Sequence, residues 1–138
     1  MKQRRKSREL ALQVLYSFEK NEKQLEELYQ DEMFSSTPEQ HREFAKVLID
    51  GCLKHKKELD ETIETILQNW KLGRLAVLDH LILRMALFEM KHVEDIPAVV
   101  SINEAIDLAK KFSTPDSGRF INGVLDRFRK QNLPEKQD

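Results

Sequence analysis

The chain has 138 residues, 40% hydrophobic and 34% charged, with four glycines and four prolines, a balance that fits one all-α domain able to bury a core without disulfides or metals. Its formal net charge of −1 hides a basic arm, residues 1–8: Lys2, Arg4, Arg5, Lys6 and Arg8 stand there without an acid, leaving 18 cations against 24 acids elsewhere. The single cysteine, Cys52, excludes an internal disulfide, the charged N-terminus excludes a secretory signal, and no apolar run nears the roughly 20 residues of a membrane span, so the cytoplasm is the expected compartment.

The first helix is expected over residues 5–21, where Leu10, Val14, Leu15 and Phe18 form a core-facing stripe at helical spacing. Arg5, Arg8, Leu12 and Tyr16 recur on a different face, so the cations of the arm continue onto the helix and end at an aromatic ring. A second helix is expected over 22–33, with Leu25, Leu28 and Tyr29 as its stripe, broken by Ser35, Ser36 and Thr37. Thr37-Pro38-Glu39-Gln40 has the form of a capping box with proline at the first helical position, and the helix it starts is expected to bury Phe44, Val47, Leu48 and Cys52. Periodicity alone allows that helix to run on through Leu59, Ile63, Ile66 and Leu67; two helices with a joint near 54–58 is the reading adopted, with Trp70 and Gly73 closing the region.

Residues 75–90 are apolar on nearly every side, as a central helix requires, and Asp79, His80, Arg84 and Glu89 are their few polar positions. A polar linker over 91–95 leads to Ile96-Pro97 and an amphipathic helix carrying Val100, Ile102, Ala105, Ile106, Leu108, Ala109 and Phe112. Ser113-Thr114-Pro115-Asp116 is a second cap-then-proline start; the last helix turns Phe120, Ile121, Val124, Leu125 and Phe128 inward and leaves Arg119, Arg127 and Arg129 to solvent, with 133–138 as a frayed tail. About seven helices, packed as two small bundles over about 9–70 and 74–130, are expected within a single domain spanning 1–138.

No P-loop, GxGxxG, GxSxG or HExxH occurs, and the carboxylate pairs Glu26/Glu27 and Asp60/Glu61 lie on polar helix faces beside lysines, where solvation and i to i+4 pairing account for them. Cys52 and His55 stand three apart on a helix, but zinc needs three or four protein ligands, and His41, His80 and His92 offer no complementary spacing. No catalytic residue, cofactor or metal is expected.

Several segments together resemble the NusB family: the basic start with SRELALQVLYSFE, then WKLGRLAVLDHLILRMALFEM, IPAVVSINEAIDLAKKFS and PDSGRFINGVLDRF. INEAIDLAKKF followed by FINGVLD is the most specific part, whereas 22–44 match only in helical character. The resemblance implies two packed helical bundles and a non-catalytic transcription antitermination factor. Such a factor binds the boxA element of nascent ribosomal RNA leaders with the ribosomal small-subunit protein called NusE, helping RNA polymerase pass terminators.

The residues fit part of this, since single-stranded RNA is gripped by cations on phosphates and by rings on which bases stack. Lys2, Arg4, Arg5, Lys6 and Arg8 supply cations and Tyr16 a ring. Phe112, Asp116, Arg119 and Phe120 surround the start of the last helix, where the family pattern places further RNA-facing positions and free backbone N–H groups attract phosphate. Asp116 also has a reading as a stabiliser of the helix N-terminus, and Phe112 and Phe120 as core. Asp79 is assigned to the surface shared by RNA and partner, against a salt bridge to Arg84 or a lysine. Asn103, Glu104, Asn122 and Gly123 are read as structural, Gly123 as a point of close helix approach. The competing reading is a protein-interaction module that homodimerises through the same basic face without specific RNA binding.

Overall fold

The computed structural model describes residues 2–21, 24–68 and 72–132, with the side chains at 2, 3, 21 and 72 outside the description. Trp70, the start of the expected second helix at Glu22 and the tail 133–138 therefore lie outside the described residues. Eight α-helices and one 3-10 turn make up the described chain, which divides into two compact units, Met1–Lys54 and His55–Asp138.

In the first unit, α1 (Lys2–Asn21) packs along α4 (Glu39–Lys54). Leu10, Ala11, Leu12, Val14 and Leu15 are all buried, so the apolar stripe is wider than the expected one and takes in Leu12. Facing it, α4 buries Ala45, Leu48, Ile49 and Cys52, a stripe at steps of three and four, whereas Val47 is 47% exposed. Val47 was expected inside; the small Ala45 occupies the packing face in its place. The hydroxyl of Ser7 donates to the His41 carbonyl at 2.8 Å and ties the start of α1 to the first turn of α4.

The segment expected as one helix over 22–33 is two, α2 (Leu25–Gln30) and α3 (Glu32–Ser35), because Asp31 adopts an extended backbone, φ −61° and ψ 145°. That break turns Phe34 inward beside Tyr29, ring centroids 4.8 Å apart, so that Leu28 and Phe34 are both buried. The Tyr29 hydroxyl donates to Asp50 Oδ1 at 3.0 Å; burial, reinforced by that carboxylate, pushes its pKa well up. Thr37 differs from its expected capping role. Its hydroxyl donates back to the Met33 carbonyl at 2.8 Å, and α4 begins at Glu39 with the Pro38 carbonyl accepting the amides of His41 and Arg42.

The second unit begins at the joint, which falls at His55 as expected. Helix α5 (Lys56–Leu67) belongs here and not with the first bundle: it packs on α6 (Val77–His92) and α8 (Ser117–Asn132), burying Leu59, Ile63 and Ile66. A 3-10 turn, Leu72–Arg74, precedes α6, whose residues from 81 to 90 are all buried between α5, α7 (Ala98–Phe112) and α8. Full burial of a helix forces its polar residues to find partners. Arg84 forks onto Asp60, Nε to Oδ1 at 2.8 Å and Nη2 to Oδ2 at 2.9 Å, and His80 Nε2 lies 2.7 Å from the same Oδ1. Glu89 accepts from the Ser101 hydroxyl at 2.9 Å.

Candidate nucleic-acid interface

The basic arm is helical rather than an extension before the helix, and burial sorts its cations. Arg5 and Lys6 are exposed. Arg4 is half-buried with its guanidinium 4.5 Å from the centroid of the Phe44 ring, and Arg8 stands over the same ring at 5.7 Å with only 2% of its surface exposed. Arg8 is therefore corrected from a phosphate-facing cation to a packing residue: α1 turns it, with Ser7 and Leu12, onto the α4 side. Phe44 is the residue sequence reading missed, being expected as plain core and serving as the platform for two arginines. The side chain of Lys2 lies outside the described residues.

Tyr16 is 39% exposed on α1, with Lys20 one turn further on, its Nζ 6.0 Å from the ring centroid. An exposed ring with an ammonium nearby on the same helix offers a base a planar surface and its phosphate a charge.

In the second unit, the connection between α7 and α8 is held by a hydroxyl cluster. Ser113 and Ser117 both donate to Asp79, at 2.8 Å to Oδ1 and 3.1 Å to Oδ2, and Ser117 Oγ also lies 2.8 Å from Thr114 Oγ1. Asp79 is 9% exposed, and its two oxygens are engaged internally. It is thus corrected from a surface residue to the anchor of this loop, while Arg84, the salt-bridge partner considered for it, is committed to Asp60. The anchored loop presents Asp116 and Arg119 exposed, and Phe112 and Phe120 half-buried, between the core and surface readings. Lys111 Nζ stands 5.4 Å from the Phe112 ring centroid.

Below this start, Ile66, Leu67, Phe120, Gly123 and Val124 line an open groove of about 470 Å³ with Arg119 and Arg127 at its rim. Arg127 also donates to the Ile66 carbonyl at 3.4 Å, which steadies it there. Gly123 faces open space, where an added Cβ would touch nothing within 4 Å, so it is not the point of close helix approach. That glycine is Gly118, whose Cβ would stand 3.4 Å from Ile106 Cγ2 on α7. Asn103 and Asn122 are exposed and Glu104 is buried.

An apolar, ring-bearing groove edged by arginines, and a separate helix with exposed cations and an exposed tyrosine, define an all-helical protein with surfaces suited to a polyanion carrying planar groups. The NusB family model matches residues 5–130. The chain is 43% identical over 124 residues to the transcription antitermination protein NusB of Oceanobacillus iheyensis, covering 90% of this chain and 96% of that one. It is 45% identical over 135 residues to NusB of Geobacter sulfurreducens, covering 96% and 97%. Among solved structures, T. maritima NusB superposes with a TM-score of 0.85 at 34% identity, covering 95% of this chain and 93% of that one. A complex of the antitermination factors NusB and NusE with double-stranded RNA gives 0.83 at 27% identity, covering 95% and 98%. This chain belongs to the NusB family. No described helix is long and apolar enough to cross a membrane.

Proposed function

We propose that this chain is a non-catalytic transcription antitermination factor of the cytoplasm. It binds the boxA element of nascent ribosomal RNA leaders as single-stranded RNA, together with the ribosomal small-subunit protein that acts as NusE, and joins RNA polymerase in the elongation complex. Family membership over nearly the whole chain is the observation that carries the reading, and the solved NusB and NusE complex with RNA supports the two classes of partner.

Each unit supplies its own RNA-facing groups. On α1, Arg5 and Lys6 take phosphates and Tyr16 stacks a base. Around the start of α8, Arg119 and the helix N-terminal amides meet phosphate, Phe112 and Phe120 offer ring edges, and Asp116 accepts a hydrogen bond from a base edge. The single domain with two bundles is organised so that the Asp79 hydroxyl cluster holds the second of these surfaces in place.

The test is binding of the purified chain to a short boxA-like single-stranded RNA and to a scrambled control across a salt series, with and without NusE. Preference for boxA that tightens with NusE supports the proposal, and Tyr16→Ala then costs about 1–3 kcal/mol of affinity. Equal, weak and strongly salt-dependent binding to both RNAs overturns it in favour of a protein-interaction module that homodimerises.

A further inference from the structure

Where α6 ends beside the start of α5, two imidazoles converge on one carboxylate oxygen. His55 Nδ1 lies 3.2 Å from Glu58 Oε1, and His92 Nε2 lies 3.1 Å from the same atom. The three donor atoms all fall within 4.8 Å of one another. The His55 and His92 rings stack with centroids 4.2 Å apart, and Phe88 flanks both, 5.9 Å from His55 and 5.3 Å from His92. Lys91 holds the other oxygen, Oε2, at 3.0 Å, and is itself held by the Thr62 hydroxyl at 2.9 Å.

We propose that His55, Glu58 and His92 form a binding site for a divalent transition-metal ion of the zinc class. Ligand atoms about 2.0–2.1 Å from a zinc ion at tetrahedral angles stand about 3.3–3.4 Å apart. The two observed nitrogen to oxygen separations are close to that edge length, so the carboxylate and each imidazole already stand at ligand spacing. Two imidazoles and one carboxylate select a borderline ion over magnesium or calcium, which take oxygen donors. The side chains are 30%, 41% and 31% exposed, so an ion reaches them from solvent and keeps water in its remaining position. Lys91 fixes the direction of the carboxylate by holding Oε2, and Thr62 keeps that ammonium in place. Spacing in the sequence could not reveal the triad, because His92 arrives from α6, 34 residues beyond Glu58.

The experiment is a titration of the untagged full chain with cobalt(II), read by its visible absorption, followed by displacement with zinc. One equivalent is expected to bind with a spectrum of nitrogen and oxygen donors. Losing even a supporting group around a metal typically weakens binding about 10–100-fold. His55→Ala, His92→Ala and Glu58→Gln are therefore each expected to weaken cobalt by at least about tenfold, and His80→Gln, which touches Asp60 instead, to leave it unchanged. Circular dichroism melts of each variant separate loss of a ligand from loss of fold, and the Glu58→Gln variant keeps the side-chain volume. No binding, unchanged binding in the three variants, an intense thiolate band that puts Cys52 on the ion, loss in His80→Gln, or equal saturation by magnesium overturns the proposal.

Discussion

Replacing Asp60 by alanine tests the packing logic of the second unit most directly. The Arg84 side chain is 9% exposed on α6 and spends two of its donors on the Asp60 carboxylate. Removing the carboxylate strands a buried cation, and breaking such a pair costs about 3–5 kcal/mol. Because the Asp60 side chain is 18% exposed, water replaces part of the lost interaction and the expected loss is about 2–4 kcal/mol. In a urea titration with a slope of about 2 kcal/mol per molar, the midpoint falls by about 1–2 M. The pH dependence has a definite sign. Burial alone would raise the Asp60 pKa, but hydrogen bonds from Arg84 and then His80 overcome it and hold the carboxyl below its usual range. A depressed folded-state pKa contributes stability that is complete above the unfolded carboxylate pKa of about 4 and is lost as pH falls through the folded value. The gap between the wild-type chain and Asp60→Ala is therefore full at pH 7 and 5 and narrows below about pH 4. A gap under about 1 kcal/mol at pH 7, or one that stays constant into acid, refutes the reasoning.

Asp79→Ala removes the acceptor shared by Ser113 and Ser117 and is expected to cost about 1–3 kcal/mol in denaturant melts. It should also weaken RNA binding without touching any group placed against RNA, as measured by the same boxA titration. Gly123→Ala fills no occupied space on an exposed helical face, so helix propensity alone acts, and the melting free energy is expected to rise by about 0.5–1 kcal/mol. A loss of stability there would mean that the groove beside it is closed by something against which the methyl group collides.

Helices with a one-sided stripe were legible in the sequence because the apolar period and the breakers agreed: α1, α7 and α8 fall where periodicity puts them, and the joint at His55 falls inside the expected interval. What periodicity does not encode is partnership. The stripe of α5 is equally visible whichever bundle receives it, and only the packing shows that Leu59, Ile63 and Ile66 face α6 and α8. The same limit explains the polar residues of α6. Sequence reading recognises Asp79, His80, Arg84 and Glu89 as exceptions on an apolar helix, but their partners come from other segments: Asp60 from α5, Ser101 from α7, Ser113 from the last connection and Ser117 from the start of α8. Asp31 breaking one helix into two carries no glycine or proline signal at all.

The basic arm shows why a count of cations overstates a polyanion site, and the difference is measurable. Five cations in the first eight residues suggest five phosphate contacts. Each phosphate neutralised on a single strand adds about 0.7 to the magnitude of the salt slope, so five would contribute about 3.5. The fold places Arg8 at 2% exposure and sets Arg4 on the Phe44 ring, leaving Arg5 and Lys6 as the exposed cations among the described side chains of the arm. Two contacts contribute about 1.4. The double variant Arg5→Ala/Lys6→Ala is accordingly expected to flatten the salt slope by about 1.4 while leaving the melting curve nearly in place. Arg8→Ala should do the opposite: lower stability by about 1–3 kcal/mol through lost packing of its stem and ring contact, with the slope unchanged. A flattened slope in Arg8→Ala with undiminished stability would show that its guanidinium leaves Phe44 for the RNA, and the division of the arm into packing and binding cations would fail.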